Sequence, residues 1–266
     1  MKTLENYFKK KASTIHLLLD QESKSFTADT FHQLRVEIKR VKALVDLIAF
    51  CSHKWNPKKT FEPFKVIFKQ AGKVREIQLQ LALLEQQPSF NSLTGCRKQY
   101  KKKLKRALEK FFVAADSKTS GKLRKKHRII IALFLQIGKK KRRRYMAIKR
   151  QEIKKMLREN TIKKKQIHTF RKRLKVYDYN EKIMKYPEQN KKIAERNRLM
   201  KILGHWHDYQ VSILQIKKAN RSCASDSNEI ELLENIKTTF ISKRNVLFGQ
   251  ITAALKQQHF LDAEKA

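Results

Sequence analysis

The clearest hydrophobic pattern of the chain lies between Phe31 and Phe50. Apolar residues recur there at intervals of three and four, which places them on one face of a helix. These residues are Phe31, Leu34, Ile38, Val41, Val45 and Ile48. A basic row runs one residue out of phase and consists of His32, Arg35, Lys39 and Lys42. At roughly 100° per residue this row lies about a quarter-turn from the apolar seam, so we expect a buried seam bordered by a line of cations.

Similar spacing predicts helices along most of the chain. Their expected ranges are 3–20, about 31–52, 60–86, 96–115, 161–179, 189–218 and 229–259, with 122–160 forming one long helix or two that meet near Gly138. Thr27 or Asp29 is expected to cap the second helix, and Asp116, Ser117 or Ser120 the helix that starts near residue 122. No segment alternates with period two, so the sequence predicts an all-α fold without a sheet.

The sequence also predicts the apolar face of one helix, a turn and a loop. The helix over 96–115 is expected to present Leu104, Leu108, Phe111 and Phe112 as its apolar face. Pro187 indicates a turn, and the serine-rich stretch 220–228 indicates a loop.

The charge of the chain indicates its class of partner. Among 266 residues there are 63 Lys and Arg against 24 Asp and Glu, a formal net charge of +39. Such charge repels itself and favours a polyanionic partner, which could be nucleic acid, an anionic lipid surface or a polyphosphate chain. A hydrophobic fraction of 41% is too high for a disordered basic tail, and only six Gly and four Pro argue against a loop-rich fold.

The cysteines and the apolar runs indicate the compartment. Cys51, Cys96 and Cys223 lie far apart without metal-ligand spacing, so we expect reduced thiols. The longest apolar run, Ile129–Ile137, is too short to cross a bilayer. We therefore expect a cytoplasmic protein without membrane insertion.

The second half of the chain repeats the basic pattern of the first. His32, Arg35 and Lys39 are matched by His168, Arg171 and Lys175, at an offset of 136 residues. A second pair of blocks, 69–79 and 201–211, follows in the same order at an offset of 132. Two matches in order at nearly the same offset indicate an internal repeat with halves of about 1–117 and 118–266.

Each block carries a glycine at the same place within a predicted helix, Gly72 and Gly204. A glycine inside a helix costs roughly 1 kcal/mol relative to alanine. We therefore expect a close approach between helices at both positions.

These motifs resemble the CHAD family, the conserved histidine α-helical domain. The family helix has the form H-x-x-R-[apolar]-x-x-[KR]-R-x-[KR]. It is met by His32, Arg35, Val36, Lys39, Arg40 and Lys42, and in the second half by His168, Arg171, Lys172 and Lys175 with Tyr179. The next helix carries an LG-x-x-[RH]-D element, which Leu203–Asp208 matches. In the first half, Ala71 and Glu76 replace its Leu and Asp.

The resemblance implies a fold and a function. It implies one domain over 1–266, built from two antiparallel four-helix bundles related by a pseudo-twofold, with basic residues lining a central groove or pore. It implies binding of inorganic polyphosphate, without catalysis and without a cofactor or metal, and an association with polyphosphate granules. The triphosphate-tunnel motif E-x-E-x-K that accompanies many relatives is not found, so a standalone version is expected.

The candidate ligands of polyphosphate are the basic residues of the two rows and of the helices that follow them. They are His32, Arg35, Lys39, Arg40, Lys42, Lys69, Lys73, Arg75, His168, Arg171, Lys172, Lys175, Lys201 and His205. Arg offers phosphate a planar fork of donors, and Lys a mobile point charge. A nearby polyanion favours cationic histidine, so binding through His32 and His168 should strengthen as the pH falls. The alternative for each is a histidine that only packs between helices.

Two other functions compete with polyphosphate binding. Residues 97–175 are dense in Lys and Arg and contain only four acidic residues, which is also typical of an RNA- or ribosome-associated protein. Tyr100 and Tyr145 are the exposed aromatic candidates for base stacking there, and they are few. His205, His207 and Asp208 could belong to a metal-dependent phosphohydrolase, but His53, His127 and His259 lie in no partner motif. Asp208 is expected to pair with a Lys or Arg.

Overall fold

The structure is a computed structural model that describes residues 2–52, 55–134, 137–157, 162–184, 190–222 and 227–256. All regular secondary structure in these ranges is helical, which confirms the all-α prediction. Within these ranges the α-helices are α1 (Lys2–Leu19), α2 (Ala28–Cys51), α3 (Pro57–Glu85), α4 (Thr94–Ala114), α5 (Ser117–Leu133), α6 (Lys139–Met156), α7 (Ile167–Met184), α8 (Asn190–Ser222) and α9 (Ser227–Lys256). Short 3-10 turns lie at Ser23–Ser25, Pro88–Ser92 and Lys164–Gln166.

The helix boundaries follow local chemistry. Thr27 caps α2, because its hydroxyl accepts a hydrogen bond from the backbone N–H of Thr30 at 3.2 Å and the Thr30 hydroxyl accepts one from the Thr27 N–H at 3.3 Å. Asp116 caps α5, because its carboxylate accepts a hydrogen bond from the backbone N–H of Thr119 at 2.7 Å. Of the two alternatives for residues 122–160, the structure has two helices that meet near Gly138, α5 and α6.

The predicted loop at 220–228 is wrong at its start and at its end, where α9 already begins at Ser227. Helix α8 continues to Ser222, because the stretch 220–222 contains neither Gly nor Pro to stop it. Residues 223–226, the predicted turn at Pro187 and the predicted end of the last helix near His259 lie outside the described residues.

The chain forms two compact units. Unit 1 contains Met1–Gln78, Lys101–Ala147 and Asp178–Lys185, and unit 2 contains Leu79–Tyr100, Ile148–Tyr177 and Tyr186–Ala266. These units are defined by packing and the repeat halves by sequence similarity, so the halves at 1–117 and 118–266 stay a prediction, as does the pseudo-twofold.

The core of unit 1 is built around α2. Helix α1 packs against both α2 and α5. All six seam residues of α2 are at most 1% exposed, which confirms the predicted face. Ala43, Leu44 and Leu47 are fully buried as well, so the second half of α2 is covered on a wider arc than the seam alone predicts.

The core of unit 2 is formed largely by α7, α8 and α9. Phe170 and Leu174 of α7 and Phe240 of α9 are fully buried, and α8 packs along α9. A buried hydrogen bond from Gln80 Nε2 to Ser212 Oγ, at 2.9 Å, joins the end of α3 to α8. Among the helices described, none has the length and apolar composition that a membrane span requires.

Candidate functional site

The basic row of α2 lies on the surface of unit 1 as its spacing predicts. His32 and Lys42 are exposed, and Arg35 and Lys39 are half-buried. The two half-buried cations share the Phe68 ring of α3, with the Arg35 guanidinium carbon 4.3 Å and the Lys39 ammonium 5.7 Å from its centroid. Phe68 therefore holds the middle of the row against α3.

Arg35 is fixed more tightly than a surface cation. Its Nη1 donates a hydrogen bond to the Phe68 carbonyl oxygen at 2.9 Å. Burial lowers the pKa of Arg35 from its ordinary value, Glu76 opposes this shift and Arg75 adds to it. Arginine keeps its charge in proteins, so the group remains a cation. The hydrogen bond to Phe68 holds it in place, and some of its five donors remain for another acceptor.

Gly72 of α3 makes room for this guanidinium. A Cβ atom at Gly72 would lie 2.2 Å from Arg35 Nη1. The predicted close approach at Gly72 is therefore real, but the approaching group is a side chain rather than a helix backbone. At Gly204 the prediction is wrong, because a Cβ there would meet no described atom within 4 Å.

The substitution Gly72→Ala is expected to displace the Arg35 guanidinium while changing stability little. The lost contacts of Arg35 oppose a gain of about 1 kcal/mol from removing a glycine inside a helix. Gly204→Ala is the matched control, and without a clash it should show that full gain of about 1 kcal/mol. Thermal unfolding of both variants measures the difference, and equal gains would contradict the packing of Arg35 over Gly72.

Arg40 and Lys42 have acidic partners that the sequence analysis did not consider. Arg40 Nη1 lies 2.5 Å from Oε1 of the buried Glu37, which also pairs with Lys11 at 3.3 Å. Lys42 pairs with Asp46 one turn further along. The i,i+3 and i,i+4 spacings in the sequence could have revealed both pairs. Phosphate binding by these two cations stays a prediction and would compete with a carboxylate.

Helix α3 adds cations beside the α2 row. Lys69 and Lys73 are exposed one turn apart, and Arg75 is half-buried. None of the three has an acidic partner among the residues described. All eight first-half candidates thus lie on two helices of unit 1.

The six second-half candidates lie on α7 and α8 in unit 2. Lys172 and Lys201 are exposed, without an acidic partner in the described part of the chain. Arg171 and Lys175 are half-buried on α7. His205 is exposed and borders a cavity of about 330 Å³ that is also lined by residues of α9.

His168 differs from its counterpart His32 in being half-buried. Its ring packs on the ring of His207, with centroids 4.9 Å apart and planes at 30°. Burial lowers the pKa of His168, and Lys172 and Arg171 lower it further. A bound polyanion or a lower pH is therefore needed to charge this imidazole.

The expectation that Tyr100 and Tyr145 are exposed is wrong. Their side chains are 4% and 2% exposed, and the Tyr145 ring packs on Phe50 with centroids 5.4 Å apart. Their apolar rings are used in packing and are not available to stack on bases.

The histidines give no metal site in the part of the chain that the structure describes. No three His, Cys, Asp or Glu side chains are grouped there so that they could hold a metal ion. His127, to which the sequence assigned no partner, forms a 2.8 Å hydrogen bond with His16. His53 and His259 lie outside the described residues.

Comparison with known proteins identifies the family of this fold. The family model of the CHAD domain matches residues 13–213. The crystal structure of the CHAD domain from the plant Ricinus communis is similar, with a TM-score of 0.73 at 13% identity, over 96% of this chain and 90% of the plant chain. No curated protein matches the sequence significantly. The chain belongs to the CHAD-domain family.

Proposed function

We propose that the protein binds inorganic polyphosphate, without catalysing a reaction, through the basic surfaces of α2 and α3 in unit 1 and of α7 and α8 in unit 2. Membership of the CHAD family supports this proposal. The observation that carries it is the set of exposed lysines without acidic partners among the described residues. They are Lys69, Lys73, Lys172 and Lys201.

The chemistry of these surfaces suits a flexible polyanion. Polyphosphate carries about one negative charge per phosphorus and has no bases to read, so cations along a path are sufficient to bind it. Arg35, held over Phe68, supplies a pre-positioned fork for phosphate oxygens. The exposed lysines of each unit supply mobile charges.

Neutralising the four lysines is expected to weaken polyphosphate binding. Changing Lys69, Lys73, Lys172 and Lys201 to Ala removes four phosphate contacts, and at about 0.5 kcal/mol each the affinity falls roughly thirtyfold. Calorimetry with long-chain polyphosphate at stated salt measures this, and the slope of log affinity against log salt should also decrease, by analogy with nucleic acids.

A matched control separates the contribution of the two proposed surfaces from the contribution of the total charge of the protein. Lys102, Lys110, Lys155 and Lys256 are also exposed, two in each unit, and none of them lies on α2, α3, α7 or α8. Changing these four to Ala should reduce affinity less than threefold, because only long-range attraction is lost. An equal loss in both variants would show that net charge alone attracts polyphosphate.

The second candidate function is binding of RNA, and the observation that favours it is the basic start of α6. Lys139, Lys140, Lys141, Arg143 and Arg144 are exposed there. Competition at matched charge between polyphosphate, single-stranded RNA and duplex DNA decides between the two functions. A clear preference for RNA or DNA, lost when these five residues are neutralised, would favour the alternative. Metal-dependent phosphate release that His207→Ala abolishes would instead indicate a phosphohydrolase.

A further inference from the structure

Helix α4 leaves part of its apolar face uncovered. The sequence predicts one face from Leu104, Leu108, Phe111 and Phe112, but the structure divides it. Phe111 is fully buried in unit 1, together with the nearly buried Ala107. Leu104, Leu108 and Phe112, spaced four residues apart, are only half-buried and form an apolar stripe along α4.

This stripe is the floor of a trough. The cavity above it has a volume of about 490 Å³, and its other wall is the turn at Ser23–Ser25. Phe26, which follows that turn, packs edge-on against Phe112 with ring centroids 5.2 Å apart, so it fixes the turn beside α4. The trough lies entirely within unit 1.

The rim of the trough is mostly basic. Lys24 on the turn and Lys101 and Lys105 on α4 line it, together with one carboxylate, Glu109. All four side chains are exposed, and none has an ion pair within the described residues. An apolar floor between unpaired cations is complementary to a ligand that has apolar groups at its centre and carboxylates at its edges.

We propose that this trough, lined by Leu104, Leu108, Phe112, Lys24, Lys101 and Lys105, docks an acidic amphipathic peptide segment of a partner protein. A helix with aliphatic side chains every three or four residues fits a floor whose own side chains repeat every four. Its flanking Glu or Asp side chains pair with the three lysines, and a basic side chain of the segment pairs with Glu109.

Other occupants fit the trough less well. A phosphate chain or a nucleic acid has no aliphatic groups for Leu104 and Leu108, and Glu109 repels it. The Glu109 carboxylate likewise repels the headgroups of an anionic lipid surface. A second copy of this chain carries a net charge of +39 and is repelled by the lysine rim. This docking surface is separate from the cations proposed to bind polyphosphate.

The test uses the full-length protein and a fluorescein-labelled peptide of about 16 residues, long enough for roughly four helical turns. Its Leu residues are placed at i, i+4, i+7 and i+11, Glu occupies most other positions, and one Lys is included. We expect saturable binding by fluorescence anisotropy, and an affinity that falls at least about tenfold in K101E/K105E, where two ion pairs become repulsive. Leu108→Gln should weaken binding about fivefold by removing apolar contact.

Matched controls define the result that overturns the proposal. K102E/K110E makes the same change of charge on exposed lysines of the same helix outside the trough, and we expect it to change the affinity less than threefold. K73E/K201E should also change the affinity for the peptide less than threefold, because these two lysines belong to the surfaces proposed to bind polyphosphate. Circular dichroism checks that each variant is folded.

Four results overturn the proposal. They are no saturable binding below about 1 mM peptide, equal losses in K101E/K105E and K102E/K110E, equally tight binding of polyglutamate that lacks leucine, and tighter binding of vesicles that contain phosphatidylserine. The third result would show attraction by charge alone, and the fourth would assign the trough to a lipid surface.

Discussion

Replacing Glu229 by alanine is expected to lower the free energy of unfolding by about 3 kcal/mol. The Glu229 side chain is 4% exposed in unit 2 and caps the start of α4. It accepts hydrogen bonds from the backbone N–H groups of Gly95 at 2.6 Å and Cys96 at 3.0 Å, and from the Thr94 hydroxyl at 3.1 Å. One carboxylate therefore satisfies three donors.

The size of this effect follows from what the substitution leaves behind. The first N–H groups of a helix have no partner within the helix, and a buried donor without a partner costs about 1–3 kcal/mol. Glu229→Ala leaves two such donors and also removes a negative charge from the positive end of the helix dipole. Gly95 suits this arrangement, because a Cβ atom there would lie only 3.1 Å from Glu229 Oε2.

Chemical denaturation measures the difference, and Glu231→Ala is the matched control. Glu231 lies two residues further along α9 and is exposed, so its loss should cost less than about 0.5 kcal/mol. Glu229→Gln keeps one acceptor oxygen and should fall between the two. Equal stability of Glu229→Ala and Glu231→Ala would contradict the capping role.

Acidification from pH 7 to pH 4 is expected to destabilise unit 1 through His127, by on the order of 3 kcal/mol. His127 on α5 is 5% exposed, and its Nδ1 forms a 2.8 Å hydrogen bond with Nε2 of His16 on α1. Its ring also packs against Phe8 and Phe64. Burial lowers the pKa of His127 to about 3, and the neighbouring His16 contributes to the shift.

The sign of the pH dependence follows from this depressed pKa. Below about pH 6.5 the unfolded chain binds a proton at His127, whereas the folded chain does so only near pH 3, so each step toward acid favours unfolding. Burial and Arg124 lower the pKa of His16 as well, and Asp20 opposes that shift. The stabilising contribution of the neutral pair is therefore complete above about pH 6.5 and lost progressively below it.

The variant His127→Phe tests this contribution. Its packing cost is the same at every pH, so the informative quantity is the difference in unfolding free energy between pH 7 and pH 4.5. That difference should be smaller in the variant than in the native protein, because the variant lacks the imidazole of His127. The carboxylates titrate in both proteins, so the difference does not fall to zero. NMR supplies a second measurement, in which the His127 ring should not titrate above pH 4. An unchanged pH dependence, or titration near pH 6.5, would refute the assignment.

The sequence by itself determined the elements and one face of the second helix. The seam of α2 depends on spacing within the helix, which the sequence shows directly. For the cap of α2 and for residues 122–160 the sequence left two alternatives each, and the structure has Thr27 as the cap and two helices. The repeat also revealed the two basic rows and the family resemblance. These features follow from periodicity and local hydrogen bonding, and no long-range contact is needed to predict them.

The sequence could not predict the internal partners that are distant along the chain. Glu37 pairs with Lys11 as well as Arg40, and Lys11 is 26 residues away on another helix. Arg35 of α2 donates a hydrogen bond to the Phe68 carbonyl of α3, and its guanidinium then occupies the space that a side chain at Gly72 would need. Gly204, at the matching place in the repeat, has no such neighbour, so the shared glycine does not imply the same packing.

The buried polar groups show most clearly what only the tertiary structure decided. Glu229 is 134 residues from Gly95 at the start of the helix that it caps, and His16 is 111 residues from His127. The uncovered stripe of α4 likewise depends on where the turn at Ser23–Ser25 stops covering it. The sequence alone specified where helices form and which residues are charged. Packing between distant segments decided which of those charges are buried and paired, since desolvation and hydrogen bonding depend on neighbours in space rather than in sequence.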